Sequence, residues 1–177
     1  LVDADTWVEL QAGWATALVT GLGRLGGRTV GVLANDPGHT SGWLDADATD
    51  KAAGFVGLCE RFAIPLVVLA DVPGILPGLA QERAGALRRG AALFRTLIGA
   101  SVPRVTVVTG RAYGGAFLAM NAKGLGATRV LAWPEADLGV MPAEAAVRVL
   151  YRRELAALAE QDRPHGEAEL IAAHARE

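Results

Sequence analysis

The sequence predicts an α/β fold with a parallel core, and three observations carry that expectation. Short apolar runs at 64–70, 102–109 and 127–133 alternate with longer stretches of helical apolar spacing. The polarity and length of the run at 64–70 suit a strand buried on both faces, and the run at 102–109 reads the same way. Strands separated by helices connect in parallel through right-handed crossovers. With 177 residues, 51% hydrophobic and 20% charged, the chain holds enough apolar material for one compact domain over 1–177.

In chain order, 7–10, 17–22 and 29–34 read as short strands, the last two separated by Arg24-Leu-Gly-Gly27, which is turn chemistry. Gly21, Gly23 and Gly26 spell G-x-G-x-x-G, the dinucleotide fingerprint. That pattern signifies phosphate binding only between a strand and a helix. Here Arg28-Thr-Val-Gly-Val-Leu33 follows and is strand-like, so a hairpin is expected instead. A loop at 35–44 holds His39, which reads as a solvated side chain because no second ligand stands at a metal-binding spacing. Carboxylates at 45–50 precede the helical run Ala52, Ala53, Phe55, Val56, Leu58, Cys59 and Phe62, and helix capping accounts for them. Cys59 is the sole cysteine, which excludes an internal disulfide and a zinc thiolate cluster, and it is expected to pack as a small hydrophobe. The helical pattern at 81–100 is interrupted by Gly85 and Gly90, a further helix starts at Gly115, and 142–159 is helical with Pro142 at its first position. The alanine-rich, charged 160–177 reads as a helix that docks on something.

The chemistry is expected around Arg111-Ala-Tyr-Gly-Gly-Ala-Phe-Leu-Ala-Met120. An apolar run at 105–108 leads into two glycines and then into small residues at helical spacing, which describes a buried strand turning into a helix with a bare first turn. The first amides of a helix lack intrahelical acceptors and carry the positive end of its dipole, so they can hold a developing oxyanion. On this stretch alone, close packing of helix on sheet is the simpler account of Gly114, Gly115 and Ala116. The loop Asp71-Val-Pro-Gly-Ile-Leu-Pro-Gly78 is expected on the same sheet edge, where α/β folds place their sites. None of the tight turns offers a Ser or Cys nucleophile, and no G-x-x-x-x-G-K is present. An enzyme of this kind would stabilise an enolate-like anion with main-chain donors and leave proton transfer to the substrate, a cofactor or another chain.

A net charge of -2 gives no reason to expect nucleic acid, and no apolar run approaches a bilayer span. No metal is expected, and a cytoplasmic location fits a chain without the order of a secretory signal. Because it begins at Leu1, the chain is expected to be a fragment or a subunit that needs a partner.

Many short motifs then occur in a family order: Glu9-Leu-Gln with Gly13, Ala34-Asn-Asp-Pro37, Asp50-Lys-Ala-Ala53, Ile64-Pro65, Asp71-Val-Pro-Gly-Ile-Leu-Pro-Gly78 with Gln81-Glu82, Val102-Pro-Arg104, Arg111-Ala-Tyr-Gly-Gly-Ala116, Ala132-Trp-Pro134, Val140-Met141 and Tyr151-Arg-Arg-Glu154. Together they resemble the C-terminal half of the carboxyltransferase β subunit of biotin-dependent acyl-CoA carboxylases of the propionyl-CoA and acetyl-CoA type. The resemblance implies a crotonase-like ββα superhelix. It implies that the amides of Gly115 and Ala116 stabilise the ureido oxygen of biotin as carboxybiotin releases carbon dioxide, with Gly74 and Ile75 on the facing wall. Pro73, Tyr113, Gly114, Leu118 and Met141 would line the biotin pocket. The biotin nitrogen would then take the α proton of a short acyl-CoA. Implied partners are a biotin carboxyl carrier or biotin carboxylase subunit, the N-terminal carboxyltransferase half that binds acyl-CoA, and further copies of the complete subunit in a homo-oligomer.

Two positions depart from the family pattern. Leu118 stands where propionyl-type members carry aspartate and others an apolar residue, and Pro142 stands where glycine is usual. A biotin-dependent decarboxylase running the same transfer in reverse remains a close alternative. An enoyl-CoA hydratase or isomerase would use Glu135 of Trp133-Pro-Glu-Ala-Asp-Leu-Gly139 as base, but lacks its second glutamate because Ala116, Phe117 and Leu118 are uncharged. A non-catalytic module that docks a biotin domain is the non-enzyme alternative.

Overall fold

A computed structural model describes residues 1–158, 160 and 162–174. Contacts gather into two compact units, 1–137 and 138–177, with the short strand β7 (Asp137–Gly139) at the passage between them.

In the first unit, six strands lie in the order β1 (Val8–Leu10), β2 (Leu18–Leu25), β3 (Arg28–Asn35), β4 (Leu66–Val72), β5 (Arg104–Tyr113) and β6 (Arg129–Ala132). The first three pair antiparallel, and β3 through β6 pair in parallel. Parallel neighbours require crossovers. These are supplied by α1 (Ala46–Arg61), by α2 (Leu79–Arg83) with α3 (Ala86–Gly99), and by α4 (Gly114–Ala119).

The glycine fingerprint is part of a hairpin, as its strand-like sequel requires. Leu25 pairs with Arg28, and the intervening Gly26 and Gly27 have φ of 59° and 78°, the two positive values that a tight turn between twisted strands needs. Strand β2 therefore runs beyond the expected 17–22, straight through Gly21 and Gly23. Those glycines make room for the N-terminal segment: a Cβ on Gly21 would stand 2.3 Å from the Trp7 ring, and one on Gly23 would stand 2.7 Å from Val2.

One face of the sheet forms the core. Leu66, Val68, Ala70 and Val72 of β4 are buried with Phe55, Val56 and Cys59 of α1, Leu93 and Leu97 of α3, and Ala116 and Ala119 of α4. The opposite face of β4 and β5, with Val67, Leu69, Val105 and Val107, is only half-buried. The expectation of burial on both faces thus fails within this unit, because α1, α3 and α4 all join the same cluster. Residue Lys51 is fully buried on α1, where its Nζ donates to the carbonyls of Gln11 (3.1 Å), Trp14 (2.8 Å) and Leu18 (2.6 Å). Three N–H groups meet three acceptors, which ties the β1–β2 connection to α1 even though burial pushes the lysine pKa down.

Several boundaries differ from the sequence expectation for local reasons. Helix α1 starts at Ala46 because the Asp45 carboxylate accepts from the Ala48 amide (2.7 Å). Capping therefore explains Asp45, whereas Asp47 and Asp50 already lie within the helix and pair with Arg89 of α3 (3.0 and 2.7 Å). The pattern at 81–100 is two helices, broken at Gly85 in the left-handed region with φ 76°, while Gly90 is helical. Strand β5 extends past 109 to Tyr113.

In the second unit, α5 (Ala143–Leu150) and α6 (Arg152–Ala157) replace the single helix expected over 142–159, with the break at Tyr151. Residue Pro142 caps α5 from extended backbone, one place before the first helical position. Helix α7 (Arg163–His174) packs on α5, where Glu167 meets Arg148 at 2.5 Å. Positions 159, 161 and 175–177 of the expected helices lie outside the described residues. No described helix is long and apolar enough to cross a membrane.

Gly31 of β3 marks a tight point where β3 meets α1. A Cβ there would lie 2.5 Å from Cys59 Sγ, 3.1 Å from Phe55 and 3.2 Å from Leu66. Gly31→Ala should cost about 1–3 kcal/mol in a denaturant melt through overpacking, and adding Cys59→Ala should recover part of that loss. Burial also raises the Cys59 thiol to about 11. The native protein at pH 8 should therefore resist a thiol reagent that labels the unfolded chain rapidly, and labelling of the folded protein would refute the packing described here.

Candidate active site

Strand β5 enters α4 with no loop between them: Tyr113 is still extended (φ -113°, ψ 134°), and the helix begins at Gly114 with φ 52°. A side chain is strained at that φ, so Gly114 serves the backbone reversal. Ala116 is 1% exposed and belongs to the core, which fits close packing of helix on sheet. Gly115 does not. It is exposed, its φ is outside the positive region, and a Cβ on it would meet only the Ile75 Cδ1 at 3.9 Å, an ordinary contact. Neither strain nor crowding requires glycine at 115. Leu118, three residues further along the helix and 40% exposed, shares its face.

The contact with Ile75 brings the two predicted walls together. The segment 73–76 is held from below by a short parallel bridge between Leu44 and Ile75, in which the Leu44 amide donates to the Gly74 carbonyl (3.1 Å) and the Leu76 amide to the Leu44 carbonyl (2.8 Å). Gly74 lies under the Trp43 indole, whose Cζ3 would be 2.5 Å from an added Cβ. Ile75 itself is 44% exposed, and Pro73 is half-buried. Gly115, Ile75 and Leu118 are thus all exposed, with Ile75 within van der Waals reach of position 115 at the entrance of α4.

Tyr113 is placed differently from an open lining residue. Its ring is buried and its hydroxyl donates to the Asp137 carboxylate, which fixes the end of β5. Met141 is 38% exposed at the start of the second unit. Glu135, the base that hydration would require, is exposed in the turn from Trp133 to Ala136. His39 is exposed and paired with Asp36 (2.8 Å), whose carboxyl is held below its ordinary range by the His39 and Gly38 hydrogen bonds. Among the described residues, no three His, Cys, Asp or Glu side chains gather as a metal-holding group.

Three contributors escaped the sequence reading: Trp43 on Gly74, the Asp71–Arg111 ion pair (2.8 Å), and the Tyr113–Asp137 bond. The aspartate that opens the Asp71-Val-Pro-Gly turn and the arginine that opens the glycine stretch were both visible, but nothing in their spacing along the chain announces a pair forty residues apart.

The model of the carboxyl transferase domain family matches residues 1–177. The chain belongs to that family. It is 52% identical over 177 residues to the biotin-dependent acetyl-/propionyl-coenzyme A carboxylase beta6 subunit of Mycobacterium tuberculosis, covering 99% of this chain and 37% of the relative. It is 49% identical over 162 residues to the methylmalonyl-CoA carboxyltransferase 12S subunit of Propionibacterium freudenreichii, covering 92% of this chain and 31% of the relative. The crystal structure of a transcarboxylase 12S subunit, described as a hexamer with methylmalonyl-coenzyme A and methylmalonic acid bound, superposes with a TM-score of 0.93 at 48% identity, covering 98% of this chain and 33% of that one. The carboxyl transferase chain thus has the crotonase-like α/β fold that its motifs imply. It spans only about a third of the length of the curated relatives it matches, 37% of the beta6 subunit and 31% of the 12S subunit.

The two glycines of the walls should respond oppositely to a methyl group. Gly115→Ala should melt at or slightly above the wild-type temperature, since alanine is favoured over glycine in a helix. Gly74→Ala should displace the Trp43 indole, seen as a shifted tryptophan emission, and lower stability by about 1–3 kcal/mol.

Proposed function

We propose that residues 1–177 form the biotin-receiving half of a carboxyltransferase that moves a carboxyl group from carboxybiotin on a carrier protein to the α carbon of a short acyl-CoA. The observation that carries this reading is the placement of Gly115: exposed in the first turn of α4 and beside Ile75, it leaves the helix entrance bare where neither strain nor crowding requires glycine. A bare helix entrance opposite an apolar side chain suits a flat, uncharged ring bearing one carbonyl oxygen. The ring packs against Ile75 and Leu118, and the oxygen reaches the main chain.

Bound biotin supplies the transferable carboxyl group and a ring nitrogen able to accept the α proton. The chain's own contribution is electrostatic and steric. The Gly115 and Ala116 amides, at the positive end of α4, donate to the ureido oxygen as it gains charge. Gly74 and Ile75 form the opposite wall, against which the ring packs. Gly114 turns the backbone, Tyr113 anchors the strand end through Asp137, and Pro73 stiffens the facing turn. The missing carboxylate at Leu118 favours an acyl group without a polar demand at that point. A general base is not required from this chain, in keeping with an active-site stretch that holds no ionisable side chain between Gly114 and Ala119.

The activity needs the acyl-CoA-binding half, a biotin carrier or biotin carboxylase subunit, and further copies of the complete subunit. This reading is supported by the relatives named for biotin-dependent acyl-CoA carboxylation and by the transcarboxylase described as a hexamer. The full-length polypeptide with its biotin subunit should exchange carboxyl groups between biotin and a short acyl-CoA. Gly115→Val should lower that exchange by about 100-fold or more while the protein still folds, because the β-branched side chain obstructs the oxyanion donors. Full exchange by Gly115→Val would remove this entrance from the mechanism, and hydration of an enoyl-CoA without carboxyl transfer would overturn the assignment.

A further inference from the structure

The proposed walls stand at the ends of neighbouring strands whose register does not hold up to the site. Strands β4 and β5 pair evenly from Leu66 with Arg104 to Ala70 with Val108, but the next pair is Val72 with Ala112. One strand advances two residues while the other advances four. The stretch 109–111 therefore bows out of the ladder immediately before Gly115, and the ladder alone leaves its position loose.

We infer that Asp71 and Arg111 are positioning residues for carboxyl transfer, whose ion pair and shared hydrogen bonds fix the Gly74–Ile75 wall relative to the Gly115–Ala116 wall. This rests on the function proposed above. The Asp71 Oδ1 accepts from the Arg111 amide (3.0 Å) and from Arg111 Nε (2.8 Å), so one carboxylate grips both the backbone and the side chain of the bow. Gly110 allows that grip, since a Cβ there would lie 2.7 Å from the Asp71 Cγ. The far end of the guanidinium, Arg111 Nη2, donates to the Ser41 carbonyl (3.0 Å). The Asp71 amide in turn donates to Asn35 Oδ1 (3.2 Å).

The node thus gathers the end of β3, the loop before Trp43, the end of β4 and the bow of β5. Two residues separate Asp71 from Gly74, and three separate Arg111 from Gly115. The two side chains are 21% and 38% exposed, a setting in which an ion pair adds little to overall stability. The fork geometry of arginine, with one arm on a carboxylate and one on a carbonyl, does what a point charge does not. A displacement of about 1 Å at a reacting centre lowers rates by roughly 100-fold.

The test compares wild type with Arg111→Ala, Arg111→Lys and Asp71→Asn in the full-length polypeptide. Arg111→Ala should lower kcat for carboxyl transfer by roughly 10- to 100-fold while the KM for acyl-CoA changes by less than about twofold. Arg111→Lys, which can reach Asp71 but not Asp71 and Ser41 together, should recover only part. Amide exchange should speed up in 72–78 and 112–119 and stay unchanged in α1. The inference is overturned if those two segments exchange at the wild-type rate. It is equally overturned if Gly31→Ala, which destabilises the core away from the site, loses as much kcat as Arg111→Ala. A wild-type protein that exchanges no carboxyl group would sink the proposed function, and the amide exchange of the two segments then decides the clamp by itself.

Discussion

A strand that becomes a helix without a loop must reverse its backbone at a single residue, and everything around the candidate site depends on that reversal at Gly114. The positive φ there places the first amides of α4 at the edge of the sheet instead of in a connecting loop. Because α4 then packs Ala116 and Ala119 into the core, the remaining side of its first turn faces outward. The exposed glycine at 115 follows from this geometry: the residue between a turning glycine and a buried alanine has only the open side left.

The three small residues at that junction divide three physical tasks. Gly114 supplies a backbone angle, Ala116 supplies close packing, and Gly115 supplies neither. Composition alone suggests one explanation for all three, and the packing account is correct for the alanine. Elsewhere in the chain, crowding explains some of the glycines in the motifs, and turn geometry explains others such as Gly26. Gly21 and Gly23 yield to Trp7 and Val2, and Gly74 yields to Trp43. Gly54 and Gly99 are equally exposed and uncrowded within helices, so what sets Gly115 apart is its place at the entrance of α4 beside Ile75.

The α/β class, the hairpin at Gly26–Gly27, and the order of strands and helices were legible because they rest on local signals: apolar runs, periodicity and turn chemistry. The family was legible from motif order, which is information about ancestry more than about energetics. Boundaries were less legible where a side chain decided them. The Asp45 cap lengthens α1, the left-handed Gly85 divides a continuous helical pattern, and Tyr151 interrupts another. Least legible were the contacts that join distant segments. Nothing in the periodicity of α1 indicates that Lys51 reaches two carbonyls of the β1–β2 connection and one at the start of β2, and nothing in two short motifs pairs Asp71 with Arg111. Such bonds come from topology, because β4 and β5 become neighbours only once α2 and α3 have crossed over.

The absence of an ionisable side chain between Gly114 and Ala119 bears on the choice between carboxyl transfer and hydration. Hydration requires a base and an acid held close to the substrate by the protein, and a glutamate in an exposed turn lacks the burial that tunes such a group. Carboxyl transfer with a carried ring asks less of the side chains. The ring brings the proton acceptor, and the protein stabilises charge on an oxygen that moves little during the reaction. Main-chain amides suit that demand because their position is set by the helix and does not fluctuate with a rotamer. A chain that invests in placing one helix entrance accurately, through Gly114, Tyr113 with Asp137, and the bow beside Asp71, has the architecture such chemistry needs.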